Sequence, residues 1–107
     1  MLGKRVCVTV DRPLGSIHPS YPDMRYPLNY GFVKGIFAAD GEEQDVYIMG
    51  VNEPLSTFEG DVIAIIRRLD DVEDKWVVAP VGASFTKSEI AEAVAFTEQY
   101  FKTEIVM

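Results

Sequence analysis

The chain has 107 residues, of which 48% are hydrophobic, and its 17 acidic and 10 basic side chains give a formal net charge of -7. A chain of this size forms one compact domain with one core, and its charge has the wrong sign for binding nucleic-acid phosphates by counterion release. The sequence contains no apolar stretch of the roughly 20 residues that a membrane span needs, and its first residues do not resemble a signal peptide. We therefore expect one domain over residues 1–107, in the cytoplasm, with neither a nucleic-acid nor a membrane partner.

Five short segments predict β-strands. The first, RVCVTVDR, alternates valines with other residues, a period of two that is typical of a strand with one buried face. A proline-rich loop follows from Pro13 to Pro27. The segments NYGFVKGIF, DVYIMGV, DVIAIIRRL and KWVVAPV are then rich in β-branched and aromatic residues. Five short strands separated by turn residues predict a small barrel or a sandwich.

The last part of the chain changes to a helical period. Thr86 and Glu89 have the spacing of a capping box, in which each residue's side chain satisfies the other's backbone N–H. A stripe at helical spacing consists of Ile90, Val94, Thr97, Phe101 and Ile105. We predict one C-terminal amphipathic helix over about residues 86–104, packed on the strands.

Two acidic segments are candidates for a cation site. In AADGEEQDVYI, Asp40, Glu42 and Asp45 surround a glycine turn and lead into a strand, and DDVED precedes Lys75 in the same way. Hard cations such as Mg²⁺ prefer oxygen ligands and need only one or two carboxylates. Charge runs in loops are more often solvated turns. The residues alone favour two solvated turns, and they leave open that the two segments face each other around a cation.

RYPLNYGF and the only histidine are the other unusual features. The hydroxyl groups of Tyr26 and Tyr30 could donate to a phosphate or to a metal-bound water, or the two rings could belong to the core with exposed hydroxyls. His18 has no second histidine or cysteine nearby for a zinc site, so we predict a loop or surface role for it.

Several segments, in chain order, resemble motifs of one enzyme family. VDRPLGS, YPLNYGF, DGEEQDV, EDKWVVAP and FTEQYFK are similar to segments of the soluble inorganic pyrophosphatases, which are magnesium-dependent hydrolases. The resemblance implies a mainly β fold, a five-stranded OB-like closed barrel with one C-terminal helix packed on it. It also implies hydrolysis of pyrophosphate, or of a related small phosphorylated substrate, by water that a bound Mg²⁺ activates. Mn²⁺ is the alternative cofactor, and a homo-oligomer is compatible with the family.

The resemblance also implies roles for individual residues. The implied metal ligands are Asp40, Glu42, Asp45, Glu73 and either Asp70 or Asp71. The implied catalytic residues are Glu42, as the base that deprotonates water, with Asp45, Tyr30 and Lys75. The implied substrate-binding residues are Asp11, Arg25, Tyr26, Lys75, Tyr100 and Lys102.

The chain departs from the family where phosphate-binding cations are expected. A hairpin that carries a lysine and an arginine in the family is replaced by IHPSYPDM, and Phe101 stands where the family has a lysine. Two hypotheses follow from this. The chain is a pyrophosphatase, weak or acting on another phosphorylated substrate, or it is a catalytically impaired barrel that binds a metabolite or a protein.

Overall fold

A computed structural model describes residues 2–107 and contains, in that range, six strands and one helix. The elements are β1 (Arg5–Arg12), β2 (Asn29–Phe37), β3 (Glu43–Ile48), β4 (Thr57–Arg68), β5 (Asp74–Ala79), α1 (Lys87–Glu98) and β6 (Thr103–Val106). No helix within the described residues is long and apolar enough to cross a membrane.

Five of the strands close into a barrel. They pair in the order β1-β2-β3-β5-β4, and β4 pairs back with β1. The β3–β5 pair is parallel and the other pairs are antiparallel. The 12-residue strand β4 changes register between Val62 and Ala64, and its second half also pairs with β6. The prediction of a mainly β fold with a five-stranded closed barrel and one helix near the C-terminus is confirmed.

The helix starts as predicted and ends earlier than predicted. Thr86 and Glu89 form the capping box, and Ile90 and Val94 are buried. However, α1 ends at Glu98, and the predicted last turns are instead a short loop and β6. The segment TEIV is rich in β-branched residues, which suit a strand better than a helix. Its pairing with β4 supplies the backbone hydrogen bonds that a longer helix would have made.

Two apolar clusters fill the two sides of the central strands. One contains Ile90 and Val94 of the helix together with Tyr47 and Val77, and the other contains Val46, Ile48 and Val78 on the opposite faces of the same strands. Strands that are buried on both faces have continuous apolar sequences rather than alternating ones, and such strands are common in parallel pairs. The face of β2, β3, β4 and β5 that packs against α1 is called the helix-side face below.

The close contact between β1 and β2 requires a glycine at position 31. A Cβ atom there would lie 2.0 Å from the carbonyl oxygen of Thr9. We expect Gly31→Ala to lower the free energy of unfolding by about 3 kcal/mol or more, because a backbone oxygen cannot rotate away from the clash. Urea denaturation measures this loss.

Gly82→Ala is the control for this prediction. Gly82 has a φ of 85° and open space around it, so alanine there meets only the strain of the left-handed conformation, about 1–2 kcal/mol. An equal or smaller loss at position 31 than at position 82 would contradict the close approach of β1 and β2.

Candidate active site

Polar side chains lie at one end of the helix-side face. In β3, Asp45 precedes the buried Tyr47 by two residues, and in β5, Lys75 precedes the buried Val77 by two. Tyr30 in β2 likewise follows the buried Leu28 by two residues. Because side chains two apart in a strand point to the same side, the alternation that builds the core also brings these polar groups together.

Lys75 is the centre of this polar end. It is only 5% exposed, and its Nζ donates hydrogen bonds to Asp45 Oδ2 at 2.6 Å, to Tyr30 Oη at 2.9 Å and to Glu73 Oε1. The parallel register of β3 and β5 places Asp45 and Lys75 side by side at the start of the pairing. A buried ammonium needs such partners, since an unpaired charge in the interior is very unfavourable.

A second buried ion pair adjoins the first. Arg68, the last residue of β4, donates to both carboxylate oxygens of Glu98 at 3.0 and 2.8 Å and to Glu73 at 3.0 Å. Glu98 is 4% exposed and also accepts a hydrogen bond of 2.6 Å from the Tyr47 hydroxyl. The guanidinium lies 3.7 Å from the centre of the Phe101 ring, a cation–π contact. The two-pronged Arg68–Glu98 pairing fixes the guanidinium in position.

The charges of these groups do not balance. The five residues Asp45, Arg68, Glu73, Lys75 and Glu98, called the charged cluster below, contain two cations and three carboxylates and so carry a formal charge of -1. A further cation would therefore be attracted to this cluster. An anion would bind better together with a cation than alone, because the positive charge of the bound cation then dominates the local field.

Burial changes the acidity of three groups around the charged cluster. Burial, reinforced by Asp45, raises the pKa of Tyr30, and burial, reinforced by Glu98, raises the pKa of Tyr47. Burial by itself lowers the pKa of Arg68, but hydrogen bonding and attraction from Glu98 and Glu73 outweigh it and raise that pKa. At neutral pH both phenols therefore keep their protons and can donate hydrogen bonds, and Arg68 stays charged.

The two cations of the charged cluster face a cavity of about 960 Å³. Tyr30 and Tyr47 line it from the barrel, and Arg25 and Tyr26 line it from the proline-rich loop. The buried side chain of Asn29 holds that loop in place: it accepts hydrogen bonds from the backbone N–H of residues 14 and 55 and donates one to the carbonyl of residue 53. The cavity thus combines positive groups, hydroxyl donors and aromatic rings.

Some of the residues predicted from the sequence meet at this cavity. Tyr30, Asp45, Glu73 and Lys75 are in direct contact with one another through the lysine. Of these four residues, Tyr30 and Lys75 line the cavity, whereas Asp45 and Glu73 adjoin it through Lys75. Arg25, Tyr26 and Tyr100 also belong to the lining. Arg25 donates to the carbonyl of residue 15 at 2.9 Å, which ties its side chain to the loop.

The other predicted residues lie apart from the cavity lining. Asp40 and Glu42 are exposed in the β2–β3 turn, where Asp40 accepts a hydrogen bond from the Glu42 backbone N–H at 3.0 Å. The β4–β5 turn exposes Asp70 and Asp71, of which Asp70 accepts a 3.4 Å hydrogen bond from the backbone of Lys102. Asp11 is exposed at the end of β1. The two acidic turns are therefore exposed to solvent, and the metal-binding roles of their carboxylates stay predictions.

Three residues of this site, Arg68, Glu98 and Tyr47, were not predicted from the sequence. A pattern that points to two of them is present in the sequence. Arg68 follows Ala64 and Ile66 at the buried positions of β4, and Glu98 follows Ile90 and Val94 at intervals of four on the buried stripe of the helix. Burial of a charged residue at an apolar position of a regular pattern lowers stability unless the charge is paired. Each of these two positions therefore indicates a partner of opposite charge.

The oxygen donors of the charged cluster fit a hard divalent cation. In residues 2–107 no three side chains of His, Cys, Asp or Glu are placed to hold a metal ion together. Asp45 and Glu73 nevertheless converge on the same ammonium group. Mg²⁺ is commonly bound by one or two carboxylates and completes its coordination with water and substrate phosphates. Carboxylate oxygens also suit Mn²⁺ better than softer metals.

Comparison with known proteins agrees with the resemblance of the motifs. The family model described as inorganic pyrophosphatase matches residues 4–105. Among solved structures, an inorganic pyrophosphatase from Neisseria gonorrhoeae shares 22% identity with a TM-score of 0.67, covering 92% of this chain and 74% of that one. One from Ehrlichia chaffeensis shares 18% identity with a TM-score of 0.72, covering 97% and 85%. At such identities the likeness to these solved structures shows the fold alone. The family model matches almost the entire sequence, and the chain therefore belongs to the inorganic pyrophosphatase family.

Proposed function

We propose that the chain hydrolyses inorganic pyrophosphate to two phosphates with Mg²⁺ as its cofactor. The observation that carries the proposal is Lys75, held between Asp45 and Glu73 beside Tyr30 at a cavity that also receives Arg68. Membership of the inorganic pyrophosphatase family supports the choice of substrate. An acidic protein needs a cation to accept so anionic a substrate, and the cytoplasm, which we propose as its location, supplies Mg²⁺.

Asp45 and Glu73 are the proposed ligands of Mg²⁺ or, as the alternative, Mn²⁺. Asp40, Glu42, Asp70 and Asp71 remain proposed further ligands, in the turns that lead into β3 and β5. When bound, the metal lowers the pKa of water and neutralises charge on the phosphates.

The protein's own groups bind and orient the substrate. Lys75 and Arg68 attract phosphate oxygens at the cavity, and their carboxylate partners hold them in place before substrate arrives, which is the preorganisation that stabilises charge in a transition state. The protonated Tyr30 hydroxyl donates a hydrogen bond beside them. Glu42 is the proposed base that takes the proton from water. Further substrate contacts are proposed for Asp11, Arg25, Tyr26, Tyr100 and Lys102.

Asp45→Asn tests this proposal. We expect it to lower the initial rate of phosphate release from pyrophosphate by about 100- to 1,000-fold, because it removes a metal ligand and a partner that positions Lys75. Glu42→Gln is expected to lower the rate by about 100-fold or more if Glu42 is the base. Asp61→Asn is the matched control, since Asp61 pairs with the exposed Arg5 away from the cavity. Background release by the wild type with Mg²⁺, Mn²⁺ and Co²⁺ alike would refute the proposal.

The second candidate is a catalytically impaired barrel that binds a metabolite or a protein. Two observations favour this candidate. The ammonium of Lys75 already lies between the carboxylates of Asp45 and Glu73. Asp40 and Glu42 are hydrogen-bonded to each other in an exposed turn and not to the charged cluster. Binding of pyrophosphate in a calorimetric titration with no turnover would support this candidate. Turnover that Asp45→Asn abolishes would exclude it. A homo-oligomer stays a prediction, which sedimentation of the purified chain can test.

A further inference from the structure

The cavity is larger than pyrophosphate requires. Its volume of about 960 Å³ lies at the upper end of the roughly 300–1,000 Å³ that encloses drug-sized organic ligands. Pyrophosphate consists of two phosphate groups, which the cations of the charged cluster can engage at one side. The rest of the volume is then left for a larger group.

Aromatic rings make up much of the cavity lining. His18, Tyr21 and Tyr26 come from the proline-rich loop, Phe96 comes from α1, and Tyr100 follows it. The rings of His18 and Tyr26 are parallel within 5° at 6.0 Å, and Tyr21 lies 5.0 Å from His18. Rings of this kind are platforms on which a nucleobase stacks, whichever base it is.

Two of these rings have free faces. Tyr21 is 62% exposed and Tyr100 is 69% exposed, although both line the cavity. Packing within the protein therefore leaves much of both side chains accessible to a ligand. Asp23 and Gln99 also line the cavity and offer polar groups suited to the edge of a base or a sugar hydroxyl.

The cavity lining thus combines two cations, Lys75 and Arg68, with aromatic rings. Pyrophosphate uses only the cations, whereas a nucleoside diphosphate uses both the cations and the rings, because it is a pyrophosphate group that carries a nucleoside on one phosphate. We propose that nucleoside diphosphates are substrates of this site. The inference rests on the proposed function, since it assigns a substrate class to the same cavity.

The reaction would break the same kind of bond as pyrophosphate hydrolysis. The oxygen of a water molecule forms a bond to the terminal phosphorus, and the bond from that phosphorus to the bridging oxygen breaks. The bridging oxygen leaves with the nucleoside monophosphate, the other product is inorganic phosphate, and one proton is released. No oxidant, reductant or second substrate takes part.

Steady-state kinetics of the full chain with Mg²⁺ tests the inference. Adenosine diphosphate and uridine diphosphate serve as purine and pyrimidine probes, and pyrophosphate is the reference. We expect Tyr21→Ala to lower kcat/KM for both nucleotides, relative to pyrophosphate, by roughly 5- to 140-fold, the effect of losing one stacking ring. Tyr21→Phe should restore the ratio because it keeps the ring. Phe37→Ala, which removes an aromatic residue exposed outside the cavity, should leave the ratio unchanged.

A calorimetric titration supplies a readout that does not depend on turnover. Analogues with a methylene group in place of the bridging oxygen cannot be hydrolysed, and we expect the adenosine analogue to bind more weakly to Tyr21→Ala than to the wild type. Release of phosphate from pyrophosphate, with neither hydrolysis of the nucleotides nor binding of the analogue, would overturn the inference and leave the proposed function standing. Failure of every substrate, with no binding, would overturn both. A ratio of kcat/KM values unaffected by Tyr21→Ala would also overturn the inference.

Discussion

Lys75→Met should lower phosphate release from pyrophosphate by about 100- to 1,000-fold, the usual loss when one preorganised charge-stabilising group is removed. Methionine keeps the apolar stem of the lysine in its buried position but removes the ammonium. Asp45 and Glu73 then face each other without the cation that both now contact. Initial rates with saturating Mg²⁺ measure the effect.

The same change should also affect stability. We expect a loss of about 1–3 kcal/mol in the free energy of unfolding, because two half-buried carboxylates lose a shared charged donor. Lys34→Met, at an exposed position of β2, is the control and should change neither quantity appreciably. If Lys75→Met retained a rate close to that of the wild type, Lys75 would have only a structural role.

Arg68→Leu should be the most destabilising of the charge substitutions. It removes both hydrogen bonds from the guanidinium to Glu98 and leaves a carboxylate that is 4% exposed beside leucine. Breaking a buried pair from one side typically costs about 3–5 kcal/mol, because the other charge stays buried without compensation. Urea denaturation, with the midpoint and slope fitted together, measures the loss.

A double substitution separates the pairing from the packing. Arg68→Leu combined with Glu98→Gln should recover a large part of the loss, because no uncompensated charge then remains and Tyr47 still has a polar partner. Arg67→Leu is the neighbouring control. Its guanidinium is exposed and pairs with Glu104 at 3.5 Å, so it should cost at most about 1 kcal/mol. Equal losses at positions 67 and 68, or no recovery in the double variant, would contradict the buried pair.

Local patterns in the sequence were sufficient for most of the fold. The alternation in RVCVTVDR and the capping box of Thr86 and Glu89 each depend on residues a few positions apart, and the structure contains both elements. The end of the helix was wrong because Ile105 fits a helical stripe and a strand equally well. Its partner in β4, Ile66, is far away in sequence, and no local pattern reveals that pairing.

The candidate site was predictable only in part for the same reason. Lys75 and Asp45 are 30 residues apart, and the motifs on each side suggested their meeting, which the parallel register of β3 and β5 brings about. Arg68 and Glu98 are also 30 residues apart but lie outside those motifs. The roles of the turn carboxylates stay predictions, because the direction of a side chain in a turn depends on local hydrogen bonds such as that of Asp40 rather than on a period.

Phosphorus NMR of the wild-type reaction in water enriched in the heavy oxygen isotope tests the proposed hydrolysis of pyrophosphate with Mg²⁺. We expect the pyrophosphate resonance to decay only when Mg²⁺ is present and to stop decaying on chelation. One heavy oxygen atom should enter the phosphate pool for each pyrophosphate consumed, because water is the nucleophile. A pyrophosphate resonance that persists unchanged with Mg²⁺ over the same period would contradict the proposed hydrolysis.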